Sequence, residues 1–292
     1  MNDFYGQPIK RIASKWLSLE VLKNAGPRIV RLSLSGSPNL FAELPAFVIP
    51  TSFGNYHFWG GHRLWHAPEA MPRTYFPDDA GVVISEIENG LCLEGLTEPH
   101  TGIQKSIEVR LAQDKPAVRL VHTLTNHGQL PVELAPWSIT QLRLGGVVIA
   151  PMPVGNSDPD GLLPNRQVSL WPYTRIRDPR LQWDDDFILL KASPDLPAFK
   201  IGYLNPHGWL AYWIEGVLFR KVFVLHPGAT HPDGNCNAEI YCNDQFVELE
   251  SLAPLIPIAP GEQARAMETW ELYDGLEHLE LEGLIERISA LA

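Results

Sequence analysis

The chain has 292 residues, of which 45% are hydrophobic and 20% charged, and this ordinary globular composition excludes a disordered polypeptide. Its 23 Lys and Arg against 34 Asp and Glu give a formal net charge of −11, which disfavours nucleic acid as a partner because phosphate-backbone binding depends on clustered basic residues. No apolar run reaches the roughly 20 residues that a bilayer span requires, so no membrane partner is expected.

The amino-terminal segment lacks the basic start, apolar core and small-residue cleavage site of a secretory signal. The three cysteines, Cys92, Cys236 and Cys242, are an odd number in a long chain. Such usage is typical of a reducing compartment rather than of a disulfide scaffold. The sequence therefore predicts a cytoplasmic protein, although a chain whose signal had been removed would look the same.

Frequent Pro and Gly residues separate short runs rich in Val, Ile, Leu, Trp and Tyr, which is the pattern of many strands joined by turns. The clearest run is residues 117–125, where Val118, Leu120 and His122 alternate with more polar neighbours. The predicted strands are Trp16–Leu22, Arg28–Leu34, Ser106–Leu111, Ala117–Thr125, Val132–Thr140, Phe187–Lys191, Gly208–Ile214, Val217–Leu225, Glu239–Cys242, Phe246–Leu252 and Met267–Tyr273.

Helical periodicity is clear only near the carboxyl terminus, between Asp274 and Leu291. We expect a terminal helix packed on the β body there, with a partner-binding helix as the alternative. The apolar positions of the predicted helix are Leu276, Leu279, Leu284, Ile288 and Leu291.

The strands are predicted to belong to one domain. Residues 151–164 are turn-rich and could form a linker, but similar strands flank them. Residues 166–180 suit an ordered loop over a site. The sequence therefore predicts one all-β domain over residues 1–292.

One candidate site is the segment 58–69, which places aromatic, basic and histidine side chains around Gly60 and Gly61. Arg63 offers a rigid fork of donors and Trp65 a flat apolar face. Sugars need this mixture, because their C–H faces stack on aromatic rings while their hydroxyls bind planar donors and acceptors. The alternative is a tight turn whose Trp residues fill the core and whose Arg63 pairs with Glu69.

A second candidate is the segment FVELES, where Glu248 and Glu250 share one face of a predicted strand about 6–7 Å apart. Their repulsion, with any burial, would raise the pKa of at least one of them toward the range of a general base. The alternative is an acidic strand edge that faces solvent.

The sequence gives no basis for a metal or a cofactor. His226, His231, Cys236 and Cys242 only superficially resemble a zinc site, because the two cysteines lie too far apart in sequence. The chain also lacks the G-x-S-x-G, P-loop, G-x-G-x-x-G and H-E-x-x-H motifs. Phosphoryl transfer, dinucleotide chemistry and the usual hydrolase nucleophiles are therefore not supported.

Four stretches resemble the galactose mutarotase-like (aldose 1-epimerase) superfamily, in the order found there. They are Gly60–Arg63, Leu124–Val132, Leu249–Ser251, and Ile258–Glu262 followed by Glu268–Trp270. The resemblance implies a large antiparallel β-sandwich with a sugar-binding groove. It also implies sugar ring opening without a cofactor, in which a base removes the anomeric hydroxyl proton while an acid protonates the ring oxygen.

The resemblance implies Glu250 as the base, whereas Trp137 stands where the superfamily has its acid histidine. We therefore expect another acid, with His62 and His66 as the first substitutes and His100 as a third. Lys200 and Lys221 hint at an acidic sugar. The expected substrate-binding residues are Arg63, Trp65, Glu69, His100, Trp137, Lys200, Lys221 and Glu248.

Three interpretations remain open at this stage. The chain is an aldose 1-epimerase-like isomerase, a saccharide-binding protein without turnover, or a β-sandwich that uses exposed aromatic residues to bind a protein partner. The first two share one groove and one ligand, a small-molecule sugar or sugar acid. The sequence does not predict the oligomeric state.

Overall fold

The computed structural model describes residues 3–276 together with residues 283, 285 and 288. Within these residues the strands, in chain order, are β1 (Asp3–Phe4), β2 (Gln7–Ala13), β3 (Leu17–Leu22), β4 (Arg28–Leu34), β5 (Glu43–Thr51), β6 (Gly54–Ala67), β7 (Val83–Ile87), β8 (Gly90–Glu94), β9 (Ile103–Leu111), β10 (Ala117–Asn126), β11 (Val132–Leu142), β12 (Val147–Pro151), β13 (Val168–Leu170), β14 (Leu181–Trp183), β15 (Phe187–Lys191), β16 (Phe199–Tyr203), β17 (Trp209–Ile214), β18 (Val217–Phe223), β19 (Ala238–Cys242), β20 (Val247–Leu252), β21 (Ile256–Ile258) and β22 (Gln263–Tyr273). A short helical turn, α1 (Pro232–Asn235), precedes β19.

These strands form two large antiparallel sheets, which confirms the predicted all-β sandwich. In the described residues the first sheet has twelve strands, in the order β1-β2-β3-β4-β6-β11-β20-β19-β16-β13, with β5 on β6 and β21 on β11. The second has ten strands, in the order β14-β15-β12-β17-β18-β22-β10-β9-β8-β7. Several neighbours, such as β6 and β11, β11 and β20, or β22 and β10, are distant in sequence, so long-range pairing joins the hairpins into the two sheets.

The core lies between the two sheets, and alternation along the strands decides what enters it. In β10, Val118, Leu120 and Leu124 are 0% exposed and pack in the same cluster as Leu249 from β20 and Phe219 from β18. The predicted alternation of this strand is therefore confirmed. Burial of side chains of this size stabilises the fold by about 1.5–3 kcal/mol each.

The segment expected as a glycine turn is instead part of the 14-residue strand β6. Gly60 and Gly61 have positive φ angles of 87° and 70°. A Cβ added at Gly60 would lie 2.0 Å from the Ala42 carbonyl oxygen, and one at Gly61 2.0 Å from that of Ile29. The pair therefore lets β6 change direction between close backbones without leaving the sheet.

The predicted carboxyl-terminal helix lies largely outside the described residues, and so do Leu279, Leu284 and Leu291. Leu276 and Ile288 are described, and both are buried against Trp209 and Leu218 of the ten-stranded sheet. In the described part of the chain, no helix is both long and apolar enough to cross a membrane. Organisation as one domain stays a prediction.

All three cysteines lie in the described residues. Cys92 is half-buried, Cys236 and Cys242 are buried, and none of them forms a disulfide. Burial raises the pKa of the Cys236 thiol to about 12, which keeps it in the neutral form.

Candidate functional site

A cavity of about 280 Å³ opens on the face of the twelve-stranded sheet that points away from the core. Strands β6, β11 and β20 form its floor, and β11 lies between the other two and pairs with both. Trp65 and Glu248 line the cavity, whereas their sequence neighbours Leu64 and Leu249 enter the core between the sheets. Because side chains alternate along a strand, the same strands build both the core and the site.

Most of the cavity wall is aromatic. The rings of Trp65 and Trp137 meet edge to face, with centroids 5.4 Å apart, and Tyr75 packs on Trp65 at 4.7 Å. Such rings give flat apolar surfaces held in a fixed geometry. Among the described residues, the aromatic side chains that line the cavity are Phe47, Phe58, Trp65, Tyr75, Trp137, Trp171, Tyr173, Tyr241 and Phe246.

An arginine and a glutamate form the polar centre of this wall. Arg63 Nη2 donates a hydrogen bond to Glu248 Oε1 over 2.9 Å, and Gln141 Nε2 donates to the same oxygen over 2.9 Å. The Arg63 guanidinium also lies over the Trp65 ring, 4.2 Å from its centroid. Arg63 Nε and Nη1 have no hydrogen-bond partner in the described structure. Two donors of this buried, cavity-lining guanidinium therefore lack a protein partner.

Glu248 has the electrostatic character of a proton acceptor near neutral pH. Burial raises its pKa to about 7, with a further contribution from the charge of Glu250, while Arg63 opposes the shift. A carboxylate with such a pKa is present in both protonation states at neutral pH, as general acid–base catalysis requires.

Glu250, which the resemblance implies as the base, does not line the cavity. It is 0% exposed, although it shares a strand face with Glu248. Its Oε2 accepts hydrogen bonds from two side chains that line the cavity, Trp137 Nε1 over 2.8 Å and Lys200 Nζ over 3.0 Å. Glu248 is the carboxylate of this pair that faces the cavity, and the role of Glu250 as the base stays a prediction.

Lys200 lines the cavity as expected and connects it to buried carboxylates. Its Nζ lies 2.7 Å from Glu239 Oε2 and sits over the rings of Trp137 and Trp171, at 4.6 and 4.7 Å from their centroids. Burial disfavours the charge, but Glu239 and Glu250 outweigh it, so the pKa of Lys200 stands well above its usual value. Lys200 is therefore an ammonium in the folded protein.

The two histidines expected as acids point away from the cavity, which corrects that expectation. His62 Nε2 lies 2.7 Å from His122 Nε2 in the core, and His66 Nε2 lies 3.1 Å from Glu98 Oε2. Both are one residue out of phase with Arg63 and Trp65 on β6, so they face the opposite side of the sheet. Across residues 3–276, no histidine lines the cavity.

Two further expected binding residues are also placed elsewhere. His100 stacks on Phe53 with ring centroids 4.3 Å apart. Lys221 is 0% exposed between the sheets, where Nζ donates to the Ser138 carbonyl oxygen over 2.9 Å and pairs with Glu268 Oε1 at 3.0 Å. Its strand belongs to the ten-stranded sheet, so its side chain reaches the back of the cavity floor rather than the cavity.

Glu69 does line the cavity, where it accepts a hydrogen bond from the Tyr75 hydroxyl. Tyr75 and Glu239 were not among the site residues expected from the sequence. Glu239 faces Glu250 directly in the β19–β20 pairing, and only knowledge of that register could have placed it there. Trp171 and Tyr173 line the cavity, and they lie in the segment 166–180, for which the sequence predicts an ordered loop over a site.

One buried cluster has metal-ligating side chains, although its geometry does not favour an ion. In the described residues, ligand atoms of His62, His122 and Glu268 lie within 4.8 Å of one another. The two imidazole nitrogens are 2.7 Å apart, whereas two nitrogens on one tetrahedral zinc would be about 3.4 Å apart. The Lys221 ammonium already neutralises Glu268.

Comparison with solved structures identifies the architecture. A galactose mutarotase-like protein from Lactobacillus casei superposes with a TM-score of 0.59 at 10% identity, over 91% of this chain and 100% of that one. A protein from Escherichia coli described as a candidate aldose 1-epimerase gives 0.57 at 15% identity, over 92% and 100%. The chain has the galactose mutarotase-like fold.

The same fold occurs as part of a longer protein. A TPR-domain containing protein from Parabacteroides distasonis superposes with a TM-score of 0.62 at 12% identity, over 94% of this chain but 49% of that one. No protein-family model matches the chain, and no curated protein sequence matches it. At these identities the galactose mutarotase-like fold is what the comparisons establish, so the chemistry of the cavity must be argued from its own residues.

Proposed function

We propose that the cavity between Trp65, Trp137 and Tyr173 binds a saccharide, either a neutral sugar or a sugar acid. The observation that carries the proposal is the combination of aromatic walls with the Arg63–Glu248 pair in one cavity. The rings offer faces for the C–H groups of a pyranose. Arg63 offers two free donors and Glu248 an acceptor for its hydroxyls.

Titration of the purified protein with a panel of neutral sugars and uronic acids, followed by calorimetry, tests this proposal. Trp65→Ala removes one aromatic wall and is expected to weaken binding at least about tenfold, or about 1.4 kcal/mol. Trp183→Ala is the matched control, because Trp183 is 49% exposed and lies outside the cavity. If no sugar in the panel gives heat, or if both variants bind like the wild type, the proposal fails.

A second function, interconversion of sugar anomers, is favoured by the raised pKa of Glu248. In this reaction the Glu248 carboxylate accepts the proton of the anomeric hydroxyl as the ring opens. Arg63 would hold the sugar oxygen next to it. This proposal transfers the role of base from Glu250, which the sequence favoured, to the carboxylate that faces the cavity.

NMR exchange spectroscopy on the sugars that bind measures this activity directly. Glu248→Gln keeps the shape of the side chain but cannot accept the proton, so the protein-dependent rate should fall about 10²–10⁴-fold. Glu133→Gln is the control, since Glu133 is exposed on β11. Binding without any exchange above the buffer rate would leave a saccharide-binding protein without turnover.

A further inference from the structure

Ring opening by Glu248 also needs an acid, and Lys200 is a cationic side chain that lines the same cavity. Lys200 Nζ is 3.0 Å from Glu250 Oε2, and Glu248 and Glu250 lie two residues apart on one strand. Same-face positions on a strand are separated by about 6–7 Å. The ammonium and the Glu248 carboxylate therefore lie at different positions of the same cavity of about 280 Å³, which both of them line.

The buried charges of Lys200, Glu239 and Glu250 balance only if one of the two carboxyl groups carries a proton. Glu239 and Glu250 face each other across β19 and β20, and both are 0% exposed. A single ammonium pairs with both carboxylates. With both ionised, the buried group would carry an uncompensated negative charge, which is costly in a low-dielectric interior. One shared proton removes that cost.

Between the two carboxyl groups that pair with Lys200, Glu239 is the better position for this proton. Its two oxygens accept no hydrogen bond from an uncharged donor in the described structure. Burial and the charges of Glu250 and Asp233 raise the pKa of Glu239 well above its usual value, although Lys200 opposes the shift. Glu250 in contrast accepts a hydrogen bond from Trp137 Nε1, which favours its ionised form.

Other donors in the cavity are less suited to this task. The Tyr75 hydroxyl already donates to Glu69, and Arg63 cannot release a proton in the physiological range. Tyr173 and Tyr241 remain as competing donors. Both line the same cavity, and the Tyr241 hydroxyl only accepts a hydrogen bond, from Asn243 Nδ2 over 3.4 Å.

We propose that Lys200 is the catalytic acid of the cavity and that Glu239 is the positioning residue that stores and resupplies its proton. This inference rests on the proposed anomer interconversion. As the bond between the anomeric carbon and the ring oxygen breaks, Glu248 takes the anomeric hydroxyl proton and the carbonyl forms. The ring oxygen takes a proton from Lys200 Nζ, which regains one from Glu239. Reclosure on either face reverses each transfer, so no proton is gained or lost.

Lys200→Arg and Glu239→Gln test the two roles in the full chain. The guanidinium keeps the positive charge between Glu239 and Glu250 but does not release a proton, so the exchange rate should fall at least about 10²-fold while sugar binding changes little. Lys191→Arg is the control, because Lys191 is exposed at the end of β15.

Glu239→Gln has a readout that a structural role would not produce. Infrared difference spectra of wild type against Glu239→Gln, taken without sugar at neutral pH, should show a protonated carboxyl band that only the wild type has. The alkaline limb of the exchange-rate profile should also move in this variant. Absence of the band overturns the stored proton, whatever the activity.

The outcomes separate this inference from the function on which it rests. A wild-type protein that binds sugar without exchange overturns the anomerisation and this inference together. Exchange that survives Lys200→Arg overturns the inference alone. If Lys200→Arg does not fold, Glu239→Gln decides through the carboxyl band and the rate profile.

Discussion

The indole N–H of Trp137 donates a hydrogen bond to Glu250 Oε2 over 2.8 Å. By the sequence resemblance, Trp137 takes the position of an acid histidine and Glu250 that of the base, and this bond joins the two residues. Both side chains are buried, at 2% and 0% exposure, and Trp137 forms the cavity floor above Glu250. The floor is therefore stabilised by the pair, and Glu248 remains as the carboxylate that faces a ligand.

Replacement of Trp137 by Phe separates the two roles of the indole. The phenyl ring keeps an aromatic face for the sugar, but Glu250 loses one of its two donors, so the free energy of unfolding should fall by about 1–3 kcal/mol. Urea unfolding measures this change, and calorimetry should show that sugar affinity falls less than in Trp65→Ala. Trp183→Phe, at an exposed position, should change stability by no more than about 0.5 kcal/mol. Equal stability of Trp137→Phe and wild type would contradict the structural role of the bond.

Much of this fold could be predicted because its strands carry local signals. Residues 117–125 alternate so regularly that β10 (Ala117–Asn126) was predicted to within one residue. Strand β4 and strand β15 were predicted with their observed bounds. In each case burial on one face or both shows directly in the sequence.

The site was harder to predict because it depends on phase and register. A turn at Gly60 and Gly61 was one of the interpretations of segment 58–69, whereas these residues lie inside strand β6. Only the alternation of a continuous strand predicts that Arg63 lies at the cavity and His62 in the core. Resemblance placed the base at Glu250, whereas long-range burial decides which carboxylate is exposed to a ligand. Glu239 could not be found from local sequence at all, since its contact with Lys200 depends on pairing between strands far apart in the chain.

The pH dependence of anomer exchange is expected to follow Glu248. Its pKa of about 7 means that the carboxylate is protonated below neutrality, so the rate should fall about tenfold per pH unit there. Arg63 lowers this pKa; Arg63→Met should therefore move the acid limb of the profile to higher pH, as well as weakening sugar binding. The profile is measured by NMR exchange between pH 5 and 9. A limb that stays in place in Arg63→Met would show that another group controls it.

The buried His122 is expected to make stability sensitive to acid. Burial lowers its pKa from 6.5 to about 4, with Lys221 adding to the shift and Glu268 opposing it. Between these values the unfolded chain binds a proton that the folded protein rejects, so this contribution is complete above pH 6.5 and is lost as the pH falls to 4. The loss is about 3 kcal/mol.

Other groups titrate in the same pH range. The raised pKa of Glu248 makes its contribution to stability increase as the pH falls, opposite to that of His122. The test therefore compares the pH dependence of wild type with that of a His122 variant. His122→Gln can keep the hydrogen bond to His62 but does not titrate. The stability of wild type relative to His122→Gln should therefore decrease by about 3 kcal/mol between pH 7 and pH 4 in urea unfolding. A difference that stays constant over this range would show that folding does not lower the pKa of His122.

The wall of the cavity beside β6 depends on a buried arginine. The Arg28 side chain is 0% exposed, and its Nη2 pairs with Asp78 Oδ2 at 2.9 Å and donates to the Tyr56 hydroxyl over 3.1 Å. Its Nη1 donates to the Phe58 carbonyl oxygen, so one guanidinium ties β4 to β6 and to the segment that carries Asp78.

Arg28→Met is expected to reduce the free energy of unfolding by about 3–5 kcal/mol, because it leaves the buried partners without a donor. Lys10→Met is the control, since Lys10 pairs with Glu86 at the surface, and its loss should cost no more than about 1 kcal/mol. Because Phe58 lines the cavity, Arg28→Met should also weaken sugar binding. If the two variants unfold at the same urea concentration, the buried ion pair does not stabilise this side of the site.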